Sequence, residues 1–111
     1  MKIDKHAKYV LISDEQDDVK KFATYLEYII PKEYEDVHLI IDLTKYNLLE
    51  FTELLYFLKL STYHRSTKHS LVIVNSAINP DDIPPEIIVV PTVQEAEDII
   101  EMEEIERDLG F

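Results

Sequence analysis

Val37-His38-Leu39-Ile40-Ile41-Asp42-Leu43 decides the fold. The run is almost wholly apolar with no alternation, which suits a strand covered on both faces, as in the middle of a parallel sheet. Its neighbours share the habit. Tyr9-Val10-Leu11-Ile12, Leu71-Val72-Ile73-Val74 and Ile87-Ile88-Val89-Val90 are short, β-branched and bounded by polar or proline-rich stretches, so each reads as a strand. Residues 2–6 add a short preceding strand. Between these runs the period changes to that of a helix. Val19, Phe22, Ala23, Leu26, Ile29 and Ile30 form one apolar stripe, with Ser13 and Gln16 as a capping box, acids at 14, 15, 17 and 18 on the positive end, and Pro31 as the stop. A second helix is expected from about Asn47 to Arg65, with Asn47 as N-cap and Glu50 as its capping-box partner. A third follows Pro91, capped by Thr92 with Glu95, and carries Val93, Ala96, Ile99, Ile100, Met102, Ile105 and Leu109. Strand–helix alternation of this kind implies an α/β layer fold with mostly parallel strands.

Composition narrows the function classes. The 111 residues are 46% hydrophobic and 31% charged, an ordinary globular mix, and no repeat or linker marks a boundary, so residues 1–111 read as one domain. The single glycine, Gly110, excludes a glycine-rich phosphate loop. The absence of cysteine excludes disulfides, thiolate zinc sites and cysteine nucleophiles. Net charge is −12, from 23 acids against 11 bases, which argues against nucleic acid or anionic membrane as a partner. No apolar run approaches a membrane span or a signal segment, and the expectation is a soluble, cytoplasmic protein.

Candidate chemistry is sparse. The acid pairs Asp14 with Asp17 and Asp18, Asp81 with Asp82, and Glu103 with Glu104 fall at a helix start, in a loop and on a helix surface, where they read as solvated charge. His6, His38, His64 and His69 lack the spacing of a helical zinc motif; His64 and His69 read as capping the end of the second helix with Arg65 and Lys68. Ser61, Thr62, Ser66 and Thr67 read as a helix end and turn. Asp14 and Asp42, each near the end of a strand, admit a phosphoryl-receiver or small enzymatic domain as an alternative. Only 28 residues separate them, and no lysine ends the last strand, so the receiver pattern is incomplete.

The second helix is apolar on several sides. Phe51, Leu54, Leu55 and Leu58 read as the core stripe, leaving Leu48, Leu49, Tyr56, Phe57 and Leu60 either for extra packing or for a partner or homodimer surface. The last helix holds eight acids between Glu95 and Asp108 against one base, Arg107, which is either a solvated face or an acidic docking face for a basic partner.

Two stretches carry a family likeness. Ile40-Ile41-Asp42-Leu43-Thr44, and Val90-Pro91-Thr92-Val93-Gln94-Glu95-Ala96 with its continuation Met102 to Leu109, resemble the STAS domains of bacterial anti-sigma factor antagonists, in particular small ones from Bacteroidetes. The likeness spans nearly the whole chain. Proteins of this type neighbour ribonuclease Z in genomes; the histidine-rich metal motif of that enzyme is missing here. The resemblance implies a STAS-like mixed, mostly parallel sheet of four to five strands with helices packed on it. It implies no catalysis, no cofactor and no metal, and binding of a regulatory protein, anti-sigma-like or other, or of a second copy, at the start of the second helix. Asn47, Leu48, Leu49, Glu50, Thr52, Glu53 and Tyr56 are the partner-binding residues on that reading. Relatives carry Asp-Ser-Ser-Gly where this chain has Asn47 to Glu50, so Leu49 stands in place of the phosphoacceptor serine.

Overall fold

A computed structural model describes residues 1–110. Five strands form one sheet in the order β1 (Lys2–Lys5), β2 (Tyr9–Ser13), β3 (His38–Asp42), β4 (Leu71–Val74) and β5 (Val89–Val90). β1 runs antiparallel to β2, while β2–β3, β3–β4 and β4–β5 are parallel, so the fold is α/β with a mixed sheet. Lys2, Asp4 and Lys5 on β1 put charge on the open edge, where bare backbone invites pairing with another chain.

The sheet is covered on both faces, which is why β3 and β4 show no polar alternation. Leu39, Ile41, Leu71 and Ile73 face one cluster, packed under α1 (Val19–Glu33) and the segment formed by α2 (Phe51–Leu54), a 3-10 turn (Leu55–Phe57) and α3 (Leu58–Ser66). Ile40, Val72 and Val74 face the other, under Ala96 and Ile100 of α4 (Val93–Asp108). Parallel neighbours taken in sequence order with right-handed crossovers place successive helices on one side; α4 follows the last strand and closes the other.

Several local expectations change. The box of Ser13 with Gln16 does not form: residues 14–18 are a loop, and Asp18 caps α1 by accepting from Lys21 N at 3.0 Å. Pro31 does not stop α1, which runs on to Glu33: the ring removes a single hydrogen bond, and Tyr34 N donates to Ile30 O at 2.9 Å and closes the end. The second helix starts at Phe51 with Glu50 as N-cap instead of Asn47; the Glu53 carboxylate accepts from Glu50 N at 3.0 Å. Of the run 87–90 only Val89–Val90 forms a strand; Ile88 O accepts from Ile73 N at 2.9 Å, and Ile87 N turns back to Pro84 O at 3.1 Å. Thr92 caps α4 as expected, its hydroxyl accepting from Glu95 N at 3.1 Å. No helix among the described residues is long and apolar enough to cross a membrane.

Candidate functional site

In open α/β sheets, binding sites gather at the carboxyl ends of parallel strands, where loops of free composition converge. Here that edge holds residues 14–18 after β2, 43–50 after β3 and 75–79 after β4. Asn75, buried, ties two of the loops together. Its Nδ2 donates to Leu43 O and Tyr46 O, both at 2.9 Å, and its Oδ1 accepts from Ala77 N at 2.9 Å and Ile78 N at 3.0 Å. With both donors and the acceptor engaged, the amide fixes the path from β3 to α2. Tyr46 ties in the third loop by donating its hydroxyl to the Asp14 carboxylate. Burial, the bond to Asp14, and the charges of Asp14, Asp17 and Asp18 push the phenol well above its ordinary range, so it remains a donor. Lys45 Nζ reaches Gln16 O at 2.5 Å and Asp17 at 3.1 Å.

Asp14 and Asp42 do lie at the ends of adjacent strands, where Ser13 pairs with Asp42. Both serve the loops: Asp14 accepts from Gln16 N at 3.0 Å as well as from Tyr46, and Asp42 accepts from Thr44 N at 2.9 Å. A cleft of about 500 Å³ beside Asp14 is lined by Met1, Gln16, Asp18, Lys21, Phe22 and Tyr25. Among the described residues no three His, Asp or Glu side chains are grouped to hold a metal ion.

The loop from Tyr46 leads into the segment expected to bind a partner, and its members part company. Leu48 is 88% exposed, whereas Leu49 is 6% exposed and belongs to the core under α1. Asn47, Glu50, Thr52 and Tyr56 are exposed, and Glu53 is half-buried as the capping partner. The core stripe also differs from the expected one. Leu54 is buried, but Phe51 is 45% exposed and Leu55 also faces solvent; the inward line continues through Phe57, Leu60, Ser61 and His64. The inward face is thus turned about one residue (roughly 100°) from the expected one, because the sheet takes the side carrying Phe57 and Leu60. Leu48, Phe51, Leu55 and Tyr56 are left as a run of exposed large apolar groups at the carboxyl edge.

A second polar cluster lies at the opposite edge. His64 does not cap its helix: it is wholly buried, its Nε2–H donates to Val37 O at 2.7 Å, and its Nδ1 has no partner. Burial drives its pKa down to about 4, and the nearby His69, His38 and Arg107 act in the same direction. His38 joins the group, its ring centre 5.3 Å from that of His69, which is 6.0 Å from His64. Ser70 N donates to His38 Nδ1 at 2.9 Å. Burial also lowers the His38 pKa, against the pull of Glu104 at 3.6 Å. Glu103 completes the cluster, accepting from Ser70 Oγ at 2.6 Å and Arg65 Nη2 at 2.9 Å, with Arg107 at 3.7 Å. These bonds clamp the end of α4 to α3 and β4. Sequence spacing pointed to His64 and His69 as neighbours but not to His38, which arrives from a strand 26 residues earlier than His64. Asn75 and Tyr46 also went unforeseen; a lone Asn directly after an apolar strand was the signal available.

No protein-family model matches the chain, and no curated protein matches it in sequence.

Proposed function

We propose that the chain is a STAS-like, non-catalytic interaction module that presents the start of its second helical segment to a regulatory protein. The carrying observation is the exposure of Leu48, Phe51, Leu55 and Tyr56 together at the carboxyl edge. Several large apolar side chains held in water within one short segment favour a contact surface. Asn75 and Tyr46 fix the loop beneath them, which lowers the ordering cost of binding. Asn47, Glu50 and Thr52 supply a polar rim. Leu49, at the position of the family's phosphoacceptor, has no hydroxyl and is buried, so control by phosphorylation at that residue is absent from this reading.

The test is affinity capture from native lysate with the wild type and with a Leu48→Asp, Phe51→Ser variant, alongside sedimentation velocity of each. The expected result is one protein recovered by the wild type and lost by the variant at an unchanged thermal midpoint. Identical recovery by both would overturn the reading. A dimer dissolved by the variant would make the partner a second copy. Stoichiometric phosphate at Asp14 or Asp42 after treatment with acetyl phosphate and magnesium would favour a phosphoryl receiver instead.

A further inference from the structure

α4 carries two unlike faces. Its inner face seats Ala96 and Ile100 on Ile40, Val72 and Val74, and one to two turns later Glu103 and Arg107 close on Ser70 and Arg65. Those contacts account for the helix being where it is. They do not account for Met102, Ile105 and Leu109, which are 55%, 60% and 66% exposed. The spacing of three and then four residues aligns them as one ridge on the outward side, about 10 Å long at 1.5 Å per residue. The sheet is already covered, so nothing among the described residues needs this ridge.

The surroundings of the ridge are predominantly acidic. Asp98, Glu106 and Asp108 are exposed beside it, as is Glu101, which Lys8 meets at 3.8 Å. The one base of the helix, Arg107, is half-buried and turned inward to Ser70 and Glu103. A second copy placing the same face here would set acid rim against acid rim, between two chains of net charge −12. The complementary surface is apolar at its centre and basic at its margins. Its shape is that of another helix: a straight two-turn ridge matches the a/d-type stripe of an amphipathic helix packed along it.

We propose that the outer face of α4 docks a basic amphipathic helix of a partner protein, with Met102, Ile105 and Leu109 as the apolar seat and the flanking acids as the matching rim. This surface stands apart from the segment at Leu48 and Phe51. It lies over the other face of the sheet and toward the other edge, so both contacts can be made at once, and neither reading depends on the other.

The test uses the full chain and a synthetic helical peptide of about 18 residues, built of leucine at the inward positions and lysine elsewhere. Controls are a scrambled peptide of the same composition and a version with glutamate for lysine. Fluorescence anisotropy is expected to give micromolar binding of the basic amphipathic peptide, weaker at higher salt, with amide shifts concentrated between residues 98 and 109. Ile105→Asp is expected to weaken binding about tenfold or more, as is the milder Ile105→Ser to a smaller degree, with Leu48→Asp leaving it unchanged. Equal binding of the scrambled peptide, or indifference to both Ile105 variants, would overturn the proposal in favour of simple charge attraction. A wild-type dimer broken by Ile105→Asp would also overturn it, since the ridge would then belong to a second copy.

Discussion

Leu48 and Leu49 adjoin in sequence and differ wholly in environment: the chain bends at residues 47 and 48 ahead of α2, leaving Leu48 in water while Leu49 enters the core. Leu49→Asp would place an unpaired carboxylate in the core under α1; it is expected to unfold the protein or to lower its stability by several kcal/mol. Leu48→Asp should change stability by less than about 0.5 kcal/mol. Denaturant melts of the two variants check this, and equal stability would contradict the placement of Leu49. His64 offers a second prediction at this scale. In the folded chain it is held neutral with a pKa of about 4, against its ordinary 6.5. The unfolded chain therefore binds the proton first as pH falls, so stability is complete above pH 6.5 and declines toward pH 4. The contribution is at most ~3 kcal/mol. His38, lowered by burial, adds in the same sense. Unfolding free energies measured across this range should lose most of that slope in His64→Gln. A slope unchanged by the substitution would mean that His64 is protonated freely in the native state.

The second helical segment sets its own phase. A 3-10 turn at Leu55–Phe57 separates α2 from α3, and the segment buries Leu54, Phe57, Leu60, Ser61 and His64. Leu54→Ala, at a fully buried site, should cost about 2–5 kcal/mol. Leu55→Ala, at an exposed one, should cost less than about 1 kcal/mol. Thermal or urea denaturation separates the two, and a reversed order would mean the helix sits about 100° from the orientation described. Proline at position 31 shows the same dependence on place. A ring that would break a helix at mid-length is carried in the final turn of α1, where Tyr34 completes the bonding.

For the molecule as a whole, charge is the unbalanced quantity. A net −12 on 111 residues opposes compaction, and the ion pairs of Lys2, Lys8 and Lys45 are exposed, which leaves them little strength to offset it. The least exposed is the cluster of Glu103 with Arg65 and Arg107, and it fastens α4, the most acidic helix. Raising sodium chloride from about 10 mM to about 150 mM shortens the screening length from about 30 Å to about 8 Å. The thermal midpoint should therefore rise by a few degrees. A fall would mean that paired charges outweigh the general repulsion.

The amino-acid sequence alone determined the layer order. Continuous apolar runs at 39–41 and 71–74 can only be satisfied by cover on both faces, and the 3.6-residue period of 19–30 and the cap at Thr92 locate helices without reference to anything distant. Leu71–Val74 was legible to the residue, because nothing but burial explains it. The candidate surface was legible as a segment, not as a set of side chains. Which of Leu48, Leu49, Phe51 and Leu55 turns inward depends on where the helix begins and how the sheet receives it, and those are long-range facts. The junction of His38 with His64 and His69, the Asn75 clamp and the bond from Tyr46 to Asp14 likewise join residues some thirty positions apart. Local propensity carries no information about such pairs. Only the tertiary structure, by bringing strand ends and helix ends to common edges, decided which polar groups are shared and which apolar ones are left facing water.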